Sequence, residues 1–179
     1  MAHINLKEGV PGIKSLALFR PETGKPLYAL VEILLHGPSP LTKDERELVA
    51  SYVSYQNNCM FCYQSHSAAA RRLYGAADFI VSEVINDIDT AGISDKLKSL
   101  LRIADKVRIS GSAVLPHDVE EAKNHGASDR EIHDTVLIAA TFCMFNRYVD
   151  GLNSFTPSDR DVYDEMSKRM VQGYVLQTH

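Results

Sequence analysis

The sequence predicts an all-α protein. Three observations carry that expectation. Two capping-box spacings each open an amphipathic run, apolar residues recur every three or four positions in the later runs, and no stretch alternates apolar and polar residues with the turn punctuation of a sheet. Taken in order, Gly-Pro-Ser-Pro at 37–40 marks a firm break. Thr42 has Glu45 three residues on, so hydroxyl and carboxylate can each satisfy a free backbone N–H, and the helix continues to about Gln56. Asn58 suits the N-cap of a second helix through CMFCYQSHSAAARRLY, which Gly75 stops. A short helix from about Asp78 to Asn86 follows. Ser94 then caps DKLKSLLRIADKVRIS, where Leu97, Leu100, Leu101, Ala104 and Val107 share one face and charges fill the other. Pro116 suits the first turn of a helix ending near Gly126; Ser128 with Glu131 starts a long helix to about Tyr148; and PSDRDVYDEMSKRM starts the last. KDERELVASYVS and SDREIHDTVLIA share a start signal and a pattern, a hint of a duplicated helical unit.

The 179 residues suffice for one domain with a sizeable core or two small packed halves. Three cysteines are too few, and odd in number, for a disulfide scaffold, which fits a reducing cytosol. The N-terminus lacks the apolar core of a signal peptide, and the longest apolar run, VLIAATFCMF, is about half a membrane span. A soluble, cytoplasmic protein is expected. A net charge of −4 with interspersed signs offers no basic stripe for nucleic acid, leaving a small molecule or another protein as partner.

The chemistry concentrates in NNCMFCYQSH at 57–66. Cys59, Cys62 and His66 stand at i, i+3 and i+7, within about 60° on one helical face, so all three can meet one small molecule. A structural zinc site needs four ligands, and no second group shows ligand spacing. Haem attachment needs histidine directly after the second cysteine, where Tyr63 stands, and a thioredoxin-like pair needs a βαβ context that is absent. A helix start lowers thiol pKa: about 2 kcal/mol of stabilisation, about 1.5 pKa units, would leave the thiol about half ionised at neutral pH. Two buried core cysteines remain the bland alternative, and Cys143, in an apolar run, is read that way. Upstream, Glu47, Ser51, Ser54 and Asn58 form a polar stripe at i, i+4, i+7 and i+11. It is either solvated or lines an internal pocket, where Glu47 could take a proton from a thiol directly or through His66 or a water.

The array Glu47, eleven residues, Cys59, two residues, Cys62, three residues, His66 resembles the active-site signature of alkyl hydroperoxidase D-like proteins in the carboxymuconolactone decarboxylase superfamily, and looks closest to its peroxidase-related branch. LLRIADKV and GASDREIHDTVLIAATFCMFNRYVDGLN extend the resemblance over about 40–153, within one helical domain spanning 1–179. The resemblance implies an all-helical homo-oligomer with Cys62 as peroxidatic thiol, Cys59 as resolving thiol, and Glu47 and His66 in a proton relay. One departure is Phe61, where well-known relatives carry a further histidine. The expected function is a cofactor-free, metal-free thiol peroxidase acting on hydrogen peroxide or organic hydroperoxides. Its reductant is a dithiol donor, either a lipoyl-bearing protein, as in the family, or a thioredoxin-like one. A lactone decarboxylase-like activity and a non-catalytic redox sensor or metal-binding protein are the rivals.

Overall fold

The computed structural model describes residues 1–176, and among these every regular element is helical. Nine α-helices follow one another: α1 (Gly12–Phe19), α2 (Pro21–His36), α3 (Lys43–Gln56), α4 (Met60–Tyr74), α5 (Phe79–Asn86), α6 (Asp95–Ile109), α7 (Pro116–Asn124), α8 (Asp129–Gly151) and α9 (Arg160–Met170). Local chemistry accounts for most of the starts and stops. The Glu45 N–H donates to Thr42 Oγ1 at 3.4 Å while the Thr42 N–H donates to Glu45 Oε2 at 2.9 Å, so α3 opens on a complete capping box. Ser128 and Glu131 repeat it for α8, and Ser94 Oγ caps α6. Gly75, at φ 60°, closes α4, and Pro116 opens α7.

The sequence reading assigned no helix before the break at 37–40, yet α1 and α2 lie there. Neither has a side-chain cap, and α2 carries Pro26 in its interior, which removes one intrahelical hydrogen bond. Burial supplies what capping does not: Leu16, Ala17, Leu34 and Leu35 are all in the core. The break itself is secured by Arg46. Its guanidinium donates to the Leu34 carbonyl at 3.0 Å and the Gly37 carbonyl at 2.9 Å, at the end of α2, and to the Thr42 carbonyl at 3.3 Å, which also accepts the first backbone bond of α3 from the Arg46 N–H.

At the centre, α3 packs against α2, α4, α5, α6 and α8, so every residue from Arg46 to Ser54 is buried. The two sequence segments that share a pattern open α3 and α8, which contact each other. One core cluster joins Leu35, Leu48, Val53, Leu101, Ile138 and Phe142. A second joins Leu16, Cys59, Phe61, Cys62, Val149 and Tyr163, which places both cysteines of the pair inside packed apolar surface. α9 is fixed on α4 by Arg72, whose Nε donates to Ser167 Oγ at 2.7 Å and Nη2 to the Asp164 carbonyl at 3.2 Å. The chain leaving α9 then returns over α2, where Glu32 Oε2 accepts from the Tyr174 N–H at 2.6 Å. No helix among the described residues is long and apolar enough to cross a membrane.

Candidate active site

The turn from α3 to α4 is Asn57, Asn58 and Cys59. Asn58 takes the left-handed conformation at φ 60°, tolerable for asparagine, and points to solvent. It is therefore Cys59, and not Asn58 as its residue type suggested, that occupies the N-cap of α4. The Cys59 N–H donates to the Ser54 carbonyl at 3.0 Å, and the Cys59 carbonyl accepts from Tyr63 at 2.9 Å. Cys59 is held under the helix start with no exposure, Cys62 keeps 4 % one turn further in, and the sulfurs lie close but unbonded.

The expected lowering of thiol pKa at this helix start is overturned for Cys62. The adjacent Cys59 sulfur and near-complete burial push its thiol well above the ordinary value. Asn146, in α8, acts the other way, its amide favouring the thiolate. It is well anchored for that task, since its Nδ2 donates to Ser54 Oγ at 3.0 Å and its Oδ1 accepts from Asn57 Nδ2 at 2.9 Å. One helical turn beyond, Asp150 contacts Cys59. Partial desolvation raises its carboxyl pKa although the residue is exposed by area, and the Cys59 contact opposes the rise.

Glu47 has no exposure, so the solvated version of the polar stripe is excluded. Its carboxylate is held from both sides. His66 Nδ1 lies 2.7 Å from Oε2, and the Tyr174 hydroxyl donates to Oε1 at 2.5 Å. A carboxylate can only accept there, so Nδ1 carries the hydrogen, and Nε2 is the nitrogen left for other chemistry. The His66 ring stacks on Tyr174 at 6.1 Å and meets the edge of Phe142 at 4.6 Å, which fixes its plane. The rest of the stripe divides. Ser51 pairs with Ser67 at 2.7 Å and Ser54 with Asn146, both internally, whereas Asn58 has turned away.

Cys62 and His66 both line a cavity of about 410 Å³, and Cys59 does not. Of the three side chains expected to meet one small molecule, two therefore face a common cavity and the third does not. The cavity draws its walls from α1, α2, α4, α8, α9 and the segments before α1 and after α9, so much of it lies outside the 40–153 stretch. Cys143 is half-buried, not a core residue, and accepts from Asn57 Nδ2 at 3.4 Å.

The family model described as carboxymuconolactone decarboxylase family matches residues 21–106. An uncharacterized peroxidase-related protein from Silicibacter sp. TM1040 superposes with a TM-score of 0.77 at 27% identity, covering 87% of this chain and 79% of the other. An alkylhydroperoxidase AhpD core, an uncharacterized peroxidase-related protein from Ralstonia eutropha JMP134, does so with a TM-score of 0.77 at 26% identity, covering 89% and 82%. The family-model match and both structural neighbours support an alkyl hydroperoxidase D-like assignment within the carboxymuconolactone decarboxylase superfamily. No curated protein gives a significant match.

In this alkyl hydroperoxidase D-like fold the position before Cys62 serves packing. Phe61 is 3 % exposed, tilts against Tyr163 at 6.3 Å and covers Gly12 so closely that a Cβ there would fall 2.0 Å from its ring. It brings a wall to the cavity and no proton. Three residues of the site escaped sequence reading. Asn146 and Asp150 had a signal, being polar residues one turn apart in the apolar end of a long helix; Tyr174 had none.

Proposed function

We propose that the protein is a thiol-dependent peroxidase that reduces hydroperoxides through a Cys59–Cys62 dithiol/disulfide cycle. One observation supports this above the rest: of two close sulfurs, Cys62 alone faces a cavity, and it shares that cavity with a histidine whose far nitrogen is held by a buried carboxylate. An ordinary thiol is only a few per cent ionised at pH 7, and Cys62 is pushed further towards its protonated form, so attack on peroxide requires a proton acceptor. His66 Nε2, backed by Glu47 on Nδ1, is suited to that role.

In the cycle Cys62 gives its proton to His66, and the thiolate attacks the terminal peroxide oxygen. An S–O bond forms and the O–O bond breaks. The departing oxygen recovers a proton from His66 and leaves as water or alcohol, while Cys62 becomes a sulfenic acid. Cys59 sulfur then attacks Cys62 sulfur, an S–S bond forms, and the hydroxyl leaves as water with the Cys59 proton, for which Asp150 is the adjacent carboxylate. An external dithiol reopens the bridge by exchange and supplies the two electrons. Homo-oligomeric assembly belongs to the same proposal, since Tyr55, Met60, Met144 and Phe155 expose large apolar side chains; light scattering should exceed the 19.9 kDa monomer.

The deciding experiment is peroxide consumption with an added dithiol, run on wild type, Cys59→Ser and Cys62→Ser, with peptide mapping and a dimedone-type probe. Wild type should turn over through an intramolecular Cys59–Cys62 bridge. Cys59→Ser should stall with the probe on Cys62. Probe on Cys59 in Cys62→Ser would exchange the two roles, and no consumption by wild type with any dithiol would sink the proposal.

A further inference from the structure

The cavity is much larger than hydrogen peroxide needs. A molecule of that kind occupies little more than a water, about 30 Å³ in the liquid. About 410 Å³ is available, and organic ligands take pockets of roughly 300–1,000 Å³. Its two ends also differ in chemistry. Cys62 and His66, at 4 % and 8 % exposure, belong to the buried end, whereas Arg169 is exposed and Lys14 half-buried, so the cations belong to the open end. Ile13, Leu27, Val31, Phe142, Met166 and Met170 supply apolar wall.

The cations have no local explanation in common. Arg169 stands in the last turn of α9, where the helix dipole favours a positive charge, but Lys14 stands in the first turn of α1, where it opposes one. Among the described residues neither has an ion-pair partner, and no carboxylate lies on the cavity wall. Arg169 lies close enough to the wall residue Tyr28 to oppose the rise, to about 12, that burial imposes on its phenol.

We propose that this cavity takes an amphipathic organic hydroperoxide, with the peroxide group at Cys62, an apolar chain or ring along the walls, and a carboxylate at Lys14 and Arg169. The inference rests on the thiol peroxidase reading for its chemistry, in which the substrate leaves as the corresponding hydroxy acid, and on the cavity alone for its binding.

Binding and chemistry are therefore tested apart. Decanoate and decanol are titrated calorimetrically into reduced wild type, Lys14→Gln, Arg169→Gln and the double variant. Cys62 oxidation is followed in the same proteins with hydrogen peroxide, cumene hydroperoxide and a fatty-acid hydroperoxide. Two partly exposed charges should give decanoate about a tenfold advantage over decanol, reduced to within about twofold in the double variant. The fatty-acid hydroperoxide should likewise lead cumene hydroperoxide in wild type and lose that lead in the double variant, and decanoate should slow its reaction competitively. Equal wild-type affinity for decanoate and decanol overturns the inference without reference to any variant. So does an advantage that survives in a double variant with an unchanged circular dichroism spectrum. Charge-dependent decanoate binding with no oxidation of Cys62 by any hydroperoxide overturns the peroxidase reading and leaves the carboxylate-binding cavity standing.

Discussion

Tyr174 Oη donates to Glu47 Oε1 across 2.5 Å, although 127 positions separate the two residues. With His66 on the other oxygen, a carboxylate without any exposure has both oxygens occupied. Tyr174→Phe keeps the ring against His66 and deletes only this donor. A hydrogen bond to a charged group contributes about 1.5–3 kcal/mol, and urea unfolding should register a loss of that size. A change below about 0.5 kcal/mol would mean that the bond is not kept in solution.

Glu47→Gln preserves size and one acceptor but removes the base behind His66. Formation of sulfenic acid at Cys62, followed by stopped flow between about pH 6 and 8, should slow by roughly 10²- to 10⁴-fold, the usual contribution of a positioned acid–base group. Equal rates for the two proteins would remove Glu47 from the mechanism.

The raised pKa of Cys62 has a definite sign. Its adjacent sulfur and its burial hold the proton, so the thiolate fraction is small at neutral pH and grows as pH rises. Alkylation of Cys62 by iodoacetamide should climb nearly tenfold per unit over about pH 7 to 9. Asn146→Ala removes a contact that lowers this pKa, and should displace the profile to still higher pH; displacement to lower pH would show that Asn146 does not act as a donor. The same sign governs stability. A fold that favours the protonated thiol gains a contribution fully present below the ordinary thiol pKa and lost as pH climbs through the raised one.

Gly12→Ala should be costly for two separable reasons. Gly12 has φ 52°, a region that disfavours alanine, and the new Cβ would meet the Phe61 ring at 2.0 Å. Strain and overpacking of this kind cost about 1–3 kcal/mol each, and thermal unfolding should report a drop of at least that size. Adding Phe61→Leu should recover the steric part only, so a double-mutant cycle separates ring from backbone. A neutral Gly12→Ala would contradict the packing of α1 on α4.

What could be read in the sequence was whatever acts over a few residues. The Thr42–Glu45 and Ser128–Glu131 boxes close three positions apart, so they are complete before any tertiary contact forms, and α3 and α8 start where those residues require. Cys62 and His66 share one face because four positions are about one helical turn, and both do line one cavity. Asn58, read by type as a cap, yielded to Cys59 because the chain must reverse between α3 and α4, and a left-handed residue makes the reversal. α1 and α2 lacked local signals since burial against the remaining helices, not capping, holds them. Whether the stripe of Glu47 faced water or protein depended on what packs over α3, and Asn146 and Tyr174 reach the site from positions far along the chain. The pKa of Cys62 was decided at the same level. Packing adds a second sulfur beside Cys62 and removes water from it, and both push the thiol up.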